Sequence, residues 1–316
     1  MPDNDPQTQL VKYLTDVHAI EEQALAQMRR APDLVESGLS DAFARHLPET
    51  EEQERRVRER LEAHDASPST LKDLAGKAGG FGMVLFARTQ TDTPGKLTFH
   101  AYSYEHMEVA AYELLRLAAR DAGDEETATM AEEIAEEERE MARRLEALFD
   151  QAVEDSLRDV ARDDLDSLLD TYLSDAHALE GQSRKLLEKG KEMDLPGSLR
   201  EALAGHLEET VEQEGRLERR LEERGASPSR VKDAALRLGA LNWGAFFAAQ
   251  PDTPAKLAGF AYAVENLEVA GYELLLRVAR RAGDEESVAL AERALAEERK
   301  AAGLVAGQWP AAMAAA

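Results

Sequence analysis

Apolar residues recur along this chain at intervals of three and four, the spacing of one buried face of an α-helix. In the first half, such stripes predict four long helices, A to D, at about 7–30, 38–64, 94–121 and 125–152. In the second half, the same pattern predicts helices at about 164–190, 197–224, 254–281 and 285–307. No segment shows the strict alternation of a half-buried strand. The pattern therefore predicts an all-α protein.

Proline and glycine mark several helix ends. Thr93-Pro94 predicts the start of helix C, with a capping side chain followed by proline in the first turn. Ser67-Pro68 has the same form and predicts a short extra helix at about 68–78, with a counterpart at about 228–249. Gly123-Asp124 predicts the end of helix C and the cap of helix D.

The two halves are copies of one pattern. Residues 16–23 match 175–182 at an offset of 159, and further matches at an offset of 160 pair 46–50 with 206–210 and 122–126 with 282–286. This period is far too long for a solenoid unit and indicates a duplicated domain. We place the boundary in the charged stretch 155–163, which gives domains 1–156 and 157–316.

The connections predict how each copy folds. The A–B and C–D joins are short and make those helices antiparallel neighbours, whereas the B–C join of roughly 30 residues is long enough to cross the bundle. Two hairpins with one long crossover are typical of ferritin-like bundles. The expected fold is therefore two tandem ferritin-like four-helix bundles, each with a long B–C crossover that carries a short helix.

The composition of the chain limits the classes of molecule that it is expected to bind. The formal net charge of −25 repels nucleic-acid phosphates and anionic lipids and attracts cations. No run of 18 or more apolar residues is present, so no membrane span is predicted. The absence of cysteine excludes disulfides and thiolate metal sites. The acidic N-terminal residues do not resemble a signal peptide, and a cytoplasmic location is expected.

Acidic residues inside the apolar stripes are the candidate chemistry. Glu105 and Glu108 lie three residues apart on helix C, on the face that carries Tyr112, and Glu265 and Glu268 repeat the pair. A buried carboxylate is costly unless something compensates it. The alternative for each acid alone is a boundary position, where the stem packs and the carboxylate reaches water.

Every helix of both copies contributes to the predicted ligand set. The candidate metal ligands of the first copy are Glu21, His46, Glu49, Glu105, Glu108 and Glu137. Those of the second are Glu180, His206, Glu209, Glu265, Glu268 and Glu297. On helix D, the neighbouring Glu138 and Glu298 fit the spacing as well. Five carboxylates in one core carry −5, which two divalent ions reduce to −1, and oxygen-rich sites with imidazoles suit iron or manganese.

Three motifs resemble a known family. Asp-Val-His-Ala-Ile-Glu-Glu-Gln (16–23), His-Leu-x-Glu-Thr-x-x-Gln (46–53) and Glu-His-Met-Glu-Val-Ala-Ala-Tyr (105–112) are similar to the ferritin-like superfamily, rubrerythrin-type in the helix C pair, and more narrowly to its YciF-like stress-protein branch. The resemblance covers nearly the whole chain, twice. It implies a di-iron or di-manganese carboxylate bundle that reacts with oxygen or peroxide, with Glu49 and Glu137 as bridging ligands. It also implies that the repeats pack as an internal pseudo-dimer, and it leaves a homo-oligomer open.

Some positions depart from the family pattern. Helix B reads His46-x-x-Glu49, the reverse of the usual Glu-x-x-His, and helix D has Glu140 where that pattern has histidine. In the second copy this position is Lys300. An ammonium that faces the site repels a dication, which predicts tighter metal binding in the first copy; an ammonium in solvent has no such effect.

Two functions are consistent with these residues. The first is a non-haem di-metal carboxylate protein that acts on Fe(II), oxygen or peroxide in stress protection, as a ferroxidase or a peroxidase-type oxidoreductase. The second is a non-enzymatic, stress-associated helical scaffold with vestigial metal sites. Metal content distinguishes them.

Overall fold

The computed structural model describes residues 5–35, 37–68, 93–158, 160–161, 164–228 and 253–315. Every regular element in these ranges is helical, as the periodicity predicts. The chain divides into two compact units, Met1–Arg158 and Asp159–Ala316. Among the helices described, none combines the length and the apolar character that crossing a membrane requires.

Within the described ranges, each unit has four long helices and one short final helix. The first unit comprises α1 (Pro6–Met28), a 3-10 turn (Ala31–Leu34), α2 (Ser37–Ala63), α3 (Thr93–Asp121), α4 (Glu125–Ala147) and α5 (Phe149–Leu157). The second comprises α6 (Leu165–Lys191), α7 (Gly197–Glu223), α8 (Thr253–Ala282), α9 (Glu285–Ala306) and α10 (Trp309–Ala314). The long helices correspond to the predicted helices A to D of each copy.

The long helices of each unit surround one core. In the first unit, α1 packs against α2 and α3, and α4 packs against α3 and α2. In the second unit, α6 packs against α7 and α8, and α9 packs against α8 and α7. Both bundles therefore bring the inward faces of all four long helices together. The short helices predicted at 68–78 and 228–249 lie, apart from their first residues, outside the described ranges.

The join between the third and fourth helices has the predicted form in both units. Gly123 adopts a φ of +74°, which an L side chain rarely accepts, and it lets the chain leave α3. Asp124 then caps α4, because its side chain accepts a hydrogen bond of 3.0 Å from the backbone N–H of Thr127. Gly283 and Asp284 repeat this arrangement between α8 and α9.

Helix D of the first copy is shorter than predicted. It was expected to run to about 152, but α4 ends at Ala147 and α5 begins at Phe149. The break turns the buried ring of Phe149 back onto α3, where its centroid lies 5.6 Å from that of Tyr102. In the second unit, Trp309 on α10 packs against Tyr262 on α8 in the same way, at 5.1 Å. Each short final helix therefore places one large, buried aromatic side chain against the third long helix of its unit.

Candidate metal centres

Four glutamates and one histidine meet inside the first bundle. Glu21 comes from α1, Glu105 and Glu108 from α3, and Glu138 from α4, and all four are buried. His46 reaches them from α2 and is also buried. Each of these residues lies on the inward stripe of its helix, so the same amphipathic pattern that forms the bundle also brings the charges together.

His46 links the acids of α2, α3 and α4. Its Nε2 lies 3.3 Å from Glu105 Oε2 and 3.4 Å from Glu138 Oε2. On the other side of the ring, Nδ1 donates a hydrogen bond of 2.9 Å to Glu49 Oε2. Ligand atoms of His46, Glu105 and Glu138 all lie within 4.8 Å of one another, close enough to share a metal ion. A carboxylate on the far nitrogen is also how proteins commonly orient a metal-bound histidine.

The crowded charges shift the pKa values of these groups. Burial, and then the charges of Glu138, Glu21 and Glu105, raise the pKa of Glu108 well above its ordinary value. Burial and the charge of Glu138 raise the pKa of Glu21 in the same direction. Burial raises the pKa of Glu138 to about 8. Burial alone would lower the pKa of His46, but the charge of Glu105 and hydrogen bonds to the surrounding acids raise it.

The buried carboxylates of the first bundle have oxygens whose hydrogen-bonding capacity is not used. Each has at least one oxygen without a hydrogen-bond partner, namely Glu21 Oε2, Glu105 Oε1, Glu108 Oε1 and Glu138 Oε1. A buried polar atom left in this way is costly, and carboxylate oxygens are the ligands that hard divalent cations prefer. A set of four carboxylates and one imidazole fits iron or manganese better than it fits a metal that needs thiolate.

The second bundle contains an equivalent group. Glu180, Glu265, Glu268 and Glu298 are buried around His206. The Nε2 of this histidine lies 2.5 Å from Glu265 Oε2 and 3.4 Å from Glu298 Oε2. Ligand atoms within 4.8 Å of one another come from His206, Glu265, Glu268 and Glu298. Glu180 is not part of this group. Burial raises the pKa of Glu180 to about 8.

The structure brings Glu138, and not Glu137, into the candidate centre of the first unit. Glu137, the member of the pair chosen from the sequence, is 44% exposed, accepts a hydrogen bond of 3.0 Å from Gln53 and lies 3.6 Å from Arg56. Glu138 is the member that enters the centre. Consecutive helical residues point about 100° apart, and the buried face of α4 passes through Ile134 and Glu138.

The neighbouring glutamates of the second unit are placed in the same way. Glu298 is buried in the centre, whereas Glu297 accepts a hydrogen bond from Arg216 at the side of the bundle. Gln213 donates a hydrogen bond to Glu298. The Oε1 atom of Gln213 has no hydrogen-bond partner, and the Oε1 atom of Gln53 in the first unit has none either. These amide oxygens are a further candidate ligand atom in each unit, beside the acids and the histidine.

The remaining predicted ligands, Glu49 and Glu209, lie at the rim of each centre, which we define as the partly exposed edge of the group of buried acids. Glu49 is 39% exposed and is held by His46 and Arg144, and Glu209 is 32% exposed and is held by Lys300. Neither belongs to the groups of ligand atoms that lie within 4.8 Å of one another. In this geometry, Glu49 is a hydrogen-bond partner of His46.

A third cluster occurs in the first unit alone among the described residues. His18, Glu22 and Glu54 bring ligand atoms within 4.8 Å of one another, and His18 Nε2 lies 3.1 Å from Glu54 Oε1. Arg58 lies 3.2 Å from the same oxygen. In the second copy, Gly181 stands where Glu22 does. Together with Arg58, these residues form a part-buried network of polar and charged side chains on α1 and α2.

Comparison with known proteins supports the duplicated organisation. The profile of DUF892, a domain of unknown function, matches residues 5–158 and again residues 164–316. The two matched stretches coincide with the two compact units. A crystal structure of a protein from Xanthomonas campestris pv. campestris is 30% identical, and the similarity covers 47% of this chain and 94% of that chain with a TM-score of 0.40.

Proposed function

This chain belongs to the DUF892 family, whose domain it contains twice, and we propose that each copy is a carboxylate bundle that binds a pair of iron or manganese ions. One observation carries the proposal: each unit buries four carboxylates around one histidine, with oxygens that have no hydrogen-bond partner. The ferritin-like assignment of the fold and the pairing of the two units belong to the same proposal.

The charge of the centre supports two divalent ions. Glu21, Glu105, Glu108 and Glu138 carry −4 when all are ionised, which two divalent ions would reduce to zero. Protonated His46 compensates only one of these charges. Burial of the remaining net charge without a counter-ion would be strongly unfavourable, so the acids must bind either cations or protons.

The residues divide naturally between two ions. His46, Glu105 and Glu138 would hold one ion, and an ion bound there would replace the proton on His46 Nε2. Glu21 and Glu108 would hold the second. When bound, iron or manganese would supply electrons for redox chemistry and act as a Lewis acid. His206, Glu265, Glu268, Glu298 and Glu180 would have these roles in the second unit.

Burial of the ligands limits the substrate to small molecules. Every ligand of the first centre is almost completely buried, so a bulky organic substrate would have to displace the core. Ferrous ions, molecular oxygen and hydrogen peroxide are small enough to reach such a centre. We therefore propose an oxidoreductase that oxidises Fe(II) or reduces peroxide in stress protection.

A non-enzymatic scaffold is the second candidate, and the raised pKa values of the buried acids are compatible with it. The pKa values of Glu138 and Glu180 are raised to about 8, so both side chains are largely protonated at neutral pH when no metal is present. Protonation relieves the repulsion between carboxylates without any cation. The bundle would then be a stable helical protein whose acids no longer bind metal.

Metal content decides between the two candidates. Protein from cells grown with iron and manganese together would be assayed by elemental analysis, then for peroxide consumption and Fe(II) oxidation. We expect about two ions per unit, with both metal content and activity lost when Glu105→Gln is combined with Glu265→Gln. A matched control combines Glu133→Gln with Glu292→Gln, which changes the same number of charges on the exposed surface. Metal content below roughly 0.2 ions per chain would favour the scaffold.

A further inference from the structure

The buried histidine of the first unit is oriented by a carboxylate at the rim. His46 Nδ1 donates a hydrogen bond of 2.9 Å to Glu49 Oε2. The guanidinium of Arg144 on α4 holds the same carboxylate at 3.3 and 3.4 Å, and Arg144 also donates a hydrogen bond of 2.8 Å to Glu140. The carboxylate can thus accept from the arginine and from the histidine together.

The second unit pairs the rim carboxylate with a different cation. At an offset of 160, Lys300 stands where Glu140 does, and Leu304 stands where Arg144 does. The Nζ of Lys300 donates a hydrogen bond of 2.8 Å to Glu209 Oε1. A cation from the fourth helix therefore contacts the rim carboxylate in both units, but from positions one helical turn apart.

The change of cation alters the contact with the histidine. In the second unit, Glu209 Oε2 lies 3.6 Å from His206 Nδ1, beyond hydrogen-bond distance, and this nitrogen has no hydrogen-bond partner. Lys300 is itself 60% exposed and is bound to Glu209. Its effect on the centre therefore passes through Glu209 and not through direct contact with the buried acids.

We propose that Glu49 is a positioning residue for His46, and that Lys300 removes this support from His206 by drawing Glu209 away. A carboxylate on Nδ1–H fixes the tautomer in which the lone pair of Nε2 faces the metal, and it makes the imidazole a better ligand. The first unit would therefore bind a divalent ion more tightly than the second. This inference rests on the proposed function.

The test measures Mn(II) binding to the full chain by isothermal titration calorimetry. In one background, Glu105→Gln with Glu108→Gln silences the first centre, and in the other, Glu265→Gln with Glu268→Gln silences the second. Glu49→Gln should weaken Mn(II) binding to the first centre about 10- to 100-fold, the usual effect of losing such a partner. Glu209→Gln should change binding to the second centre less than about threefold.

The most discriminating variant exchanges the cation that contacts the rim carboxylate. Lys300→Glu with Leu304→Arg gives the second unit the rim of the first, and it should raise Mn(II) affinity of the second centre about 10-fold or more. Lys189→Glu is the control, because it makes the same charge change as Lys300→Glu at an exposed side chain on α6. Equal losses from Glu49→Gln and Glu209→Gln, or an exchange that has no more effect than the control, would overturn the inference.

A second readout needs no metal. The ¹H and ¹⁵N chemical shifts of the Nδ1–H group of each histidine report whether that group donates a strong hydrogen bond, whatever the charge of the ring. In metal-free protein, we expect the Nδ1–H of His46 to show the hydrogen bond to a carboxylate, that of His206 to lack it, and His206 to gain that signature in the exchange variant. If the unmodified chain binds no Mn(II), the proposed function fails, while ring spectra that do not differ between His46 and His206 overturn the positioning role by themselves.

Discussion

The hydroxyl of Tyr112 donates a hydrogen bond to Glu21 in the middle of the first bundle, where both side chains are fully buried. Tyr272 donates the same bond to Glu180 in the second bundle. The tyrosine comes from the third helix and the glutamate from the first, so this bond fixes one candidate ligand across the seam between two helices. It satisfies one oxygen of Glu21 and leaves the other without a hydrogen-bond partner.

Tyr112→Phe removes this bond and keeps the ring. The loss of a hydrogen bond to a charged group costs about 1.5–3 kcal/mol, so the variant should unfold at a lower temperature and bind Mn(II) more weakly than the unmodified chain. Circular dichroism melts and calorimetry measure the two effects. Tyr104→Phe is the control, because its hydroxyl donates to the backbone carbonyl of Ile20. It should lower the melting temperature without changing Mn(II) affinity, and an unchanged affinity in Tyr112→Phe would contradict the role given to Glu21.

Metal should stabilise the folded chain. A ligand present at 100 times its dissociation constant adds about 2.7 kcal/mol at each site that exists only in the folded state. Addition of Fe(II) or Mn(II) should therefore raise the melting temperature by several degrees, and Glu105→Gln should reduce that rise. Differential scanning calorimetry at neutral pH measures both. A melting temperature that does not respond to either metal would support the scaffold.

Neighbouring glutamates on α4 should behave differently. Glu138→Gln removes a buried ligand and should abolish most Mn(II) binding to the first centre, whereas Glu137→Gln changes an exposed side chain and should leave that affinity within about twofold. Both variants replace a carboxyl group with an amide, at positions one residue apart, so each is the control of the other. Similar losses in the two variants would mean that long-range charge, and not ligation, determines the affinity.

The Glu137–Glu138 choice shows where sequence reasoning reaches its limit. The helices and the inward acids of α1 and α3 follow from an apolar periodicity that extends over tens of residues. The duplication follows from the segments that match at offsets of 159 and 160. The choice between two adjacent acids depends on a rotation of about 100°, which apolar spacing does not resolve when alanines border the stripe. The break after Ala147 is equally local, because it depends on where Phe149 finds room against Tyr102.

The contacts at the rim could not be predicted from the sequence for another reason. The repeat shows that Lys300 replaces Glu140, but not which way a long, flexible side chain turns. The structure shows Lys300 bound to Glu209, so its influence on the centre is indirect. Such pairings depend on the distance between two helices, and no pattern within one helix contains that distance.

The stability of the metal-free protein should fall as the pH rises from 6.5 to 8. Burial raises the pKa of Glu138 and of Glu180 to about 8, far above the value in the unfolded chain. Between those two values, the folded state holds protons that the unfolded state has lost. The raised pKa values of His46 and His206 act in the same direction, because their contribution is complete below about 6.5 and disappears as the pH rises.

The groups that oppose this trend release most of their protons below or at the lower end of this pH range. His100 and His106 have pKa values lowered to about 4, for which burial is the main cause, and they make the folded state more stable as the pH rises from about 4 to 6.5. The unfolded chain loses the remaining protons of these two histidines between pH 6.5 and about 7.5, and above that pH both residues are neutral in both states. The carboxylates with lowered pKa values, such as Asp124, are fully ionised there as well.

Melting of chelator-treated protein at several pH values between 6.5 and 8 tests this prediction. Each proton released on unfolding contributes up to about 1.4 kcal/mol per pH unit, or about 3–6 °C in melting temperature for a unit of this size. Glu138→Gln with Glu180→Gln removes two of the titrating groups and should flatten the slope. Saturating Mn(II) should reverse it, because the metal competes with protons for the same oxygens and gains affinity as the pH rises. A metal-free protein that becomes more stable from pH 6.5 to 8 would show that the buried acids are already ionised at pH 6.5, and the charge argument for both candidate functions would fail.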